Sequence, residues 1–217
     1  MRLSCCTCST KAKYSATATF AILALVFAVI ATLTPHTTSF EEQEGDPAHR
    51  KADGTMPTTT FEDKYFYTKT MRCVNGHCYA TTLELFRPGG CEAYKRSSKV
   101  ALAAAIIGGV CISASLVLTL LLVIFLKRAR FAKIVIIVCG VAVVALVVAT
   151  IMAFILRTHV KCNGQTLDEL KKGAASTGLS PIFLLLSAIF ALVSLVLGVS
   201  IDDSDLYRVS FKVKDPS

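Results

Sequence analysis

The chain has 217 residues, 53% of them hydrophobic, with a mean hydropathy of +0.59 and a formal net charge of +8. Soluble domains run nearer roughly 45–50% apolar, and here the excess lies in four long uncharged runs, which argues against a water-soluble fold. The positive charge sits in short segments beside those runs, where anionic lipid attracts it. It lacks the aromatic-and-basic interleaving of single-strand binders, which argues against a nucleic-acid partner.

Residues 1–15 read as a cytosolic head, with Arg2, Lys11 and Lys13 and no acids. Cys5, Cys6 and Cys8 sit among these basic residues beside a span and are candidates for S-palmitoylation, the plain alternative being unmodified thiols. The first span is predicted over 16–34. A helix rises about 1.5 Å per residue, so about 20 apolar residues cross a hydrocarbon core of roughly 30 Å. The competing reading is a cleaved signal peptide. The absence of a clean small-x-small site and the three leading cysteines favour a retained span.

Residues 35–99 form the predicted large extracellular loop. Within it, 35–60 is polar and turn-rich and reads as a flexible linker, while 61–99 reads as a disulfide-pinned sheet. Tyr65-Phe66-Tyr67-Thr68 and Tyr79-Ala80-Thr81-Thr82-Leu83 favour strands. Val74-Asn75-Gly76-His77 between them is a strong type I′ hairpin signal, and Arg87-Pro88-Gly89-Gly90 is a second turn. Cys73, Cys78, Cys91 and Cys162 all fall on the predicted outer side and imply two disulfides with three possible connectivities. Hairpin geometry favours Cys73–Cys78, since residues one position outside a two-residue turn face each other closely. A zinc site on Cys73, His77, Cys78 and Cys91 is a further alternative, weakened by irregular spacing. There is no Asn-x-Ser/Thr sequon, whereas the Thr-rich linker is open to O-linked sugar.

The second span is predicted at 100–126, a cytosolic loop at 127–133, the third span at 134–156, an extracellular loop at 157–178, the fourth span at 179–201 and a cytosolic tail at 202–217. Lys127, Arg128, Arg130 and Lys133 crowd the short 127–133 connection and, with the basic head, set the orientation. The 40–99 segment balances nine acids against nine bases, as suits a translocated loop. Small residues repeat along the spans: Ala101, Ala105, Gly109 and Ser113; Ala145, Ala149 and Ala153; Ser187, Ala191 and Gly198. In lipid such stripes mark close helix approach and predict a left-handed bundle. The spans carry no Asp, Glu, Lys, Arg or His, which transporters and voltage sensors need, and no midplane Pro or Gly break. No phosphate loop, nucleophile elbow or metal-spaced His pair is present. The four histidines scatter through loops, no cofactor is implied, and an enzyme is not expected.

The arrangement of a long first outer loop with a cysteine pair followed by three closely spaced spans resembles the claudin-like group. Cys78-Tyr79-Ala80-Thr81-Thr82-Leu83 continuing to Cys91, then Glu92-Ala93-Tyr94, together with Cys162 just after the third span, is most similar to the amastins, surface proteins of trypanosomatid parasites. The chain departs from them in having no Trp and a longer Cys78–Cys91 interval. The resemblance implies a Cys78–Cys91 bridge, leaving Cys73 for Cys162, a pairing that the chain-entropy account also rewards. That is the pattern expected here.

The fold expected is thus a membrane all-α protein, a four-transmembrane-helix left-handed bundle with a small extracellular antiparallel sheet in the first outer loop. The function expected is a non-enzymatic, multi-pass plasma-membrane protein with cytosolic termini. It would present a disulfide-bonded loop for adhesion, host or environment contact, or membrane organisation, with membrane lipid and other membrane proteins or further copies of itself as partners. The alternatives are an accessory subunit of a channel or transporter, and a pore or transporter in its own right.

Overall fold

The computed structural model describes residues 6–44, 58–81, 92–121, 129–162, 164–170 and 175–200. Four long helices dominate: α1 (Cys6–Leu33), α2 (Glu92–Leu121), α3 (Ala129–Thr158) and α5 (Leu179–Val199). Each is long and apolar enough to cross a membrane. α1 ends where Pro35 forbids helical backbone before it, and Thr34 closes the last turn by donating its N–H and hydroxyl to the Ile30 carbonyl. α5 opens Leu179-Ser180-Pro181, a first-turn proline whose missing N–H has no helical partner to lose.

The chain divides into two units, with the boundary inside each long helix: residues 1–29, 104–148 and 183–217 in one, 30–103 and 149–182 in the other. The first unit is helical. Phe27 stacks on Phe183 and Phe190 at 5.9 and 5.5 Å, and Phe20 on Phe190 at 6.0 Å. Ser187 donates to the Ala24 carbonyl at 2.7 Å, Ser194 to the Thr17 carbonyl at 3.0 Å and the Cys139 thiol to the Ala191 carbonyl at 3.6 Å. Buried positions alternate in steps of four and three. They run Ala101, Ala105, Gly108, Ile112, Ser115, Thr119 along α2, and Thr17, Ala21, Ala24, Ala28, Ala31 along α1. Opposite faces expose large aliphatics such as Val110, Ile137, Val144 and Val196.

The second unit holds an antiparallel five-stranded sheet, built from β1 (Thr37–Glu44), β2 (Thr58–Tyr65), β3 (Thr70–Val74), β4 (His77–Thr81) and β7 (Ala175–Thr177) in the order β4-β3-β2-β1-β7. β5 (Lys161–Cys162) and β6 (Gln165–Thr166) pair separately and lead into the single-turn α4 (Leu167–Leu170). Asn75 and Gly76 both take positive φ, 47° and 84°, which a type I′ turn between β3 and β4 requires. The Asn75 side-chain oxygen also accepts the Thr60 N–H from β2 at 3.1 Å.

Three expectations change. Thr37–Glu44 and Thr58–Thr60, expected within a flexible linker, are paired strands with Thr37 opposite Tyr65 and Glu44 opposite Thr58. Their composition is polar because β1 is covered on one face, with Thr37 and Ser39 buried and Phe40 and Glu41 exposed, but Thr and Phe still suit a pleated strand. The strand expected at Tyr65–Thr68 stops at Tyr65, and Phe66 instead donates its N–H to the Lys69 carbonyl across a tight turn. The sheet is not confined to the segment between the first two long helices. β7, from between α3 and α5, joins it by pairing Thr37 with Thr177 and Ser39 with Ala175. The Arg87–Gly90 turn, the 202–217 tail and Lys127–Arg128 lie outside the described residues.

Candidate functional site

In the sheet unit the side chains with the most chemistry gather at the start of β1. His36, wholly buried, places Nε2 3.2 Å from the Tyr94 hydroxyl and Nδ1 3.2 Å from Thr37 Oγ1. Its ring meets Tyr67 edge-on, centroids 5.1 Å apart. The Tyr67 hydroxyl pairs with Ser180 Oγ at 2.8 Å, and Ser98 donates to the Tyr67 carbonyl at 2.7 Å. Burial holds the His36 pKa down at about 3 and pushes that of Tyr67 up to about 12. Tyr65 is raised too, by burial first and then by the Asp63 charge. At physiological pH the imidazole and these two phenols are therefore neutral.

Backbone completes the joint. His36 N donates to the Tyr65 carbonyl at 2.9 Å, Gly178 N to the His36 carbonyl at 2.9 Å and Ser180 N to the Pro35 carbonyl at 3.1 Å. A Cβ at Gly178 would collide with the Pro35 carbonyl and lie 2.8 Å from the carbonyl carbon of His36, so only glycine lets the two segments approach this closely. One point thus ties together the segment after α1, the turn after β2, the start of α2 and the start of α5. Thr38 and Ser176 pair their hydroxyls at 2.7 Å, and Arg157 donates to Thr177 Oγ1 at 2.9 Å.

On the same sheet Arg72 grips Asp63 with two parallel hydrogen bonds, Nε to Oδ1 at 2.8 Å and Nη2 to Oδ2 at 2.9 Å. The carboxylate is buried and the guanidinium about one third exposed (33%). The two residues face each other across β2 and β3. Thr166 and Glu169 form a reciprocal capping box on α4: Thr166 N donates to Glu169 Oε2 at 2.7 Å and Glu169 N to Thr166 Oγ1 at 3.2 Å.

The disulfide joins Cys73 to Cys78, directly opposed on β3 and β4, and so corrects the expected use of both residues. Neither a Cys78–Cys91 nor a Cys73–Cys162 bridge is compatible with it. The local argument wins because the Asn75-Gly76 turn sets the two cysteines directly opposite each other on adjacent strands. The bond also takes two of the four residues from the zinc alternative. Cys73 is buried and Cys78 exposed. Cys91 lies outside the described residues, and Cys162 is placed on β5 by its backbone. The tie between the two connecting segments, expected from a Cys73–Cys162 bridge, is made by β1–β7 pairing and the Gly178 contact.

Among the packing candidates, Ala101, Ala105, Ala149, Ala153, Ser187 and Ala191 are buried, while Ala145, Ser113, Gly109 and Gly198 are half-buried. Gly109 has no neighbour that an added Cβ would meet. The close approach is at Gly108, where a Cβ would lie 2.8 Å from Leu146 Cγ and 3.5 Å from the Ala142 carbonyl oxygen. A strict four-residue stripe drifts around a helix, whereas burial follows alternating fours and threes. This carries the contact from Ala105 to Gly108 and Ile112, not to Gly109 and Ser113. Cys6 and Cys8 lie at the start of α1, with side chains outside the described residues, as is all of Cys5.

His36 is the residue that sequence reading missed, having been grouped with scattered loop histidines. Its setting, Pro35-His36-Thr37 straight after an apolar run, gives no periodic signal. The capping box was legible as Thr166-x-x-Glu169. Compared with known proteins, the chain matches no family model and no curated relative.

Proposed function

We propose that the chain is a non-enzymatic multi-pass surface protein, amastin-like within the claudin-like group, that presents its sheet outside the plasma membrane for adhesion, environment contact or membrane organisation. The observation that carries this reading is the β1–β7 pairing. The segment after α1 and the segment after α3 share one sheet, so they lie on one side of any membrane that the helices cross. That agrees with four crossings and needs no charge rule. Lys13 donates to the Ser200 carbonyl at 3.0 Å, which brings the two ends of the helical unit together and supports termini on one shared face. The dense Lys/Arg of the short connections favours the cytosol for that face. The bonds from Ser187 and Ser194 to the α1 backbone support a retained first span, since cleavage would strip the unit of this contact.

The alternating three- and four-residue burial supports a left-handed bundle, because a 3.5-residue repeat on a 3.6-residue helix drives that supercoil. The exposed aliphatics of the opposite faces are suited to lipid. The resemblance to amastins supplies the expectation of contact at a cell surface. The test is chemical cross-linking on intact cells followed by pull-down, run beside ion-flux assays on purified protein in liposomes. Surface partners or self-assembly with silent liposomes is the expected result. Flux from the pure protein would replace this reading with a pore, and stoichiometric recovery with one transporter would replace it with an accessory subunit.

A further inference from the structure

The Cys73–Cys78 bond adds little to the fold around it. β3 and β4 are paired over five residues and closed by the Asn75-Gly76 turn. That turn is itself tied to β2, with Asn75 N donating to the Thr60 carbonyl at 3.0 Å and Thr60 N to Asn75 Oδ1 at 3.1 Å. The disulfide spans a sequence separation of only 5, and in the chain-entropy account a loop this short constrains the unfolded chain least. With the bond open, the same strand pairs still hold the two cysteines opposite each other.

The two cysteines differ in access. Cys73 is 2% exposed, whereas Cys78 is exposed on β4, the outermost strand of the sheet order. A thiolate displaces one sulfur from another in line with the bond that breaks, so the approach to each Sγ comes from the side away from its partner. For Cys78 that side lies past the end of the sheet order, with no described strand beyond it. For Cys73 it lies over β2, where Glu62 is paired with Cys73 and so stands on the same face of the sheet. The Glu62 carboxylate, 3.2 Å from Lys64 Nζ, also disfavours an incoming thiolate by its charge. Exposed disulfides are the ones that exchange readily.

We propose that the Cys73–Cys78 pair is a thiol-exchange site, with Cys78 as the sulfur that takes up an external thiol and Cys73 as the thiol that releases it. In the forward step a thiolate RS⁻ bonds to Cys78 Sγ, the Sγ–Sγ bond breaks and its electron pair leaves on Cys73, which takes a proton. In the return step the Cys73 thiolate attacks Cys78 Sγ and expels RS⁻, so the cycle consumes no oxidant or reductant. The thiol is supplied by a small molecule or by a protein cysteine. This chemistry is separate from adhesion and is independent of which way the sheet faces across a membrane.

The experiment takes the full-length protein in lipid nanodiscs and adds reduced glutathione, or a thioredoxin-type protein cut back to one reactive cysteine. Acid quenching and peptide mapping then locate the adduct. The bond should open within about tenfold of the rate for an oxidised peptide spanning residues 70–81, with the mixed disulfide on Cys78. Adduct with glutathione assigns a small thiol, and adduct with the protein alone assigns a protein partner. Slower opening than this, or an adduct on Cys73, would overturn the proposal. Oxidised glutathione gives a second readout. It should modify Cys78 in Cys73→Ser at least about tenfold faster than Cys73 in Cys78→Ser, and equal rates would contradict the order of attack. Amide exchange in β3 and β4 should stay slow after reduction. Loss of that protection would make the bond a structural clasp and also overturn the assignment.

Discussion

In the helical unit the buried hydroxyls of Thr17, Ser115, Thr119, Ser187 and Ser194 all donate to helix carbonyls, their own or a neighbour's. In the sheet unit the buried polar groups turn to one another: His36 to Tyr94 and Thr37, Tyr67 to Ser180, Asp63 to Arg72. The first arrangement is repetitive and tolerates substitution, because each hydroxyl answers a carbonyl that the helix already satisfies. The second is a network in which every member depends on the position of another, so truncating one removes a hydrogen bond from its partner in a dry setting. The contrast predicts that single changes will cost more in the sheet unit than in the helices.

The largest effect is expected at Gly178. Gly178→Ala drives a Cβ into the Pro35 carbonyl, a backbone atom that cannot rotate away, and should cost about 3 kcal/mol or more. Loss of folded protein in mild detergent would show it. A variant as stable as the parent would mean that the two connecting segments are not joined there.

Next comes acid. His36 is held neutral in the folded state, with its pKa lowered from 6.5 to about 3, so the unfolded chain binds a proton that the folded chain refuses. Its contribution to stability is complete above pH 6.5 and declines below it, by about 1.4 kcal/mol per pH unit toward pH 3. His36→Gln should be less stable at pH 7.5, yet lose less between pH 6.5 and 5.5, before the carboxylates titrate. Parallel stability curves for variant and parent would remove His36 from the joint.

The smallest effect separates two adjacent glycines in the helical unit. Gly108→Ala meets the Leu146 side chain, which can shift, and should cost about 1–2 kcal/mol. Gly109→Ala meets nothing and should be neutral or slightly stabilising through helix propensity. Thermal shifts of the two variants in one detergent would decide it, and equal shifts would undo the three-and-four burial pattern.

The same contrast explains what could be read in advance. Four uncharged runs and the Asn75-Gly76 turn announce themselves, because membrane solvation and a positive-φ turn act on a few adjacent residues. The faces of the spans were half-legible: Ala101 and Ala105 follow either repeat, but whether Gly108 or Gly109 comes next depends on a supercoil that one short stripe does not define. β1 and β7 were missed because Thr-Thr-Ser-Phe-Glu-Glu and Ala-Ser-Thr are polar, and their pairing is settled by a partner more than a hundred residues away. The disulfide was misassigned when a distant resemblance was allowed to outweigh the two-residue turn beside it.

The central claim is that the sheet made from both connecting segments faces outside while both termini face the cytosol. It is tested most directly by epitope tags at each terminus and a third in the exposed turn at Thr68–Lys69, probed with antibody on intact and then permeabilised cells. The account predicts staining of the turn tag on intact cells and of the terminal tags only after permeabilisation. Staining of either terminus on intact cells, or of the turn only after permeabilisation, would contradict it.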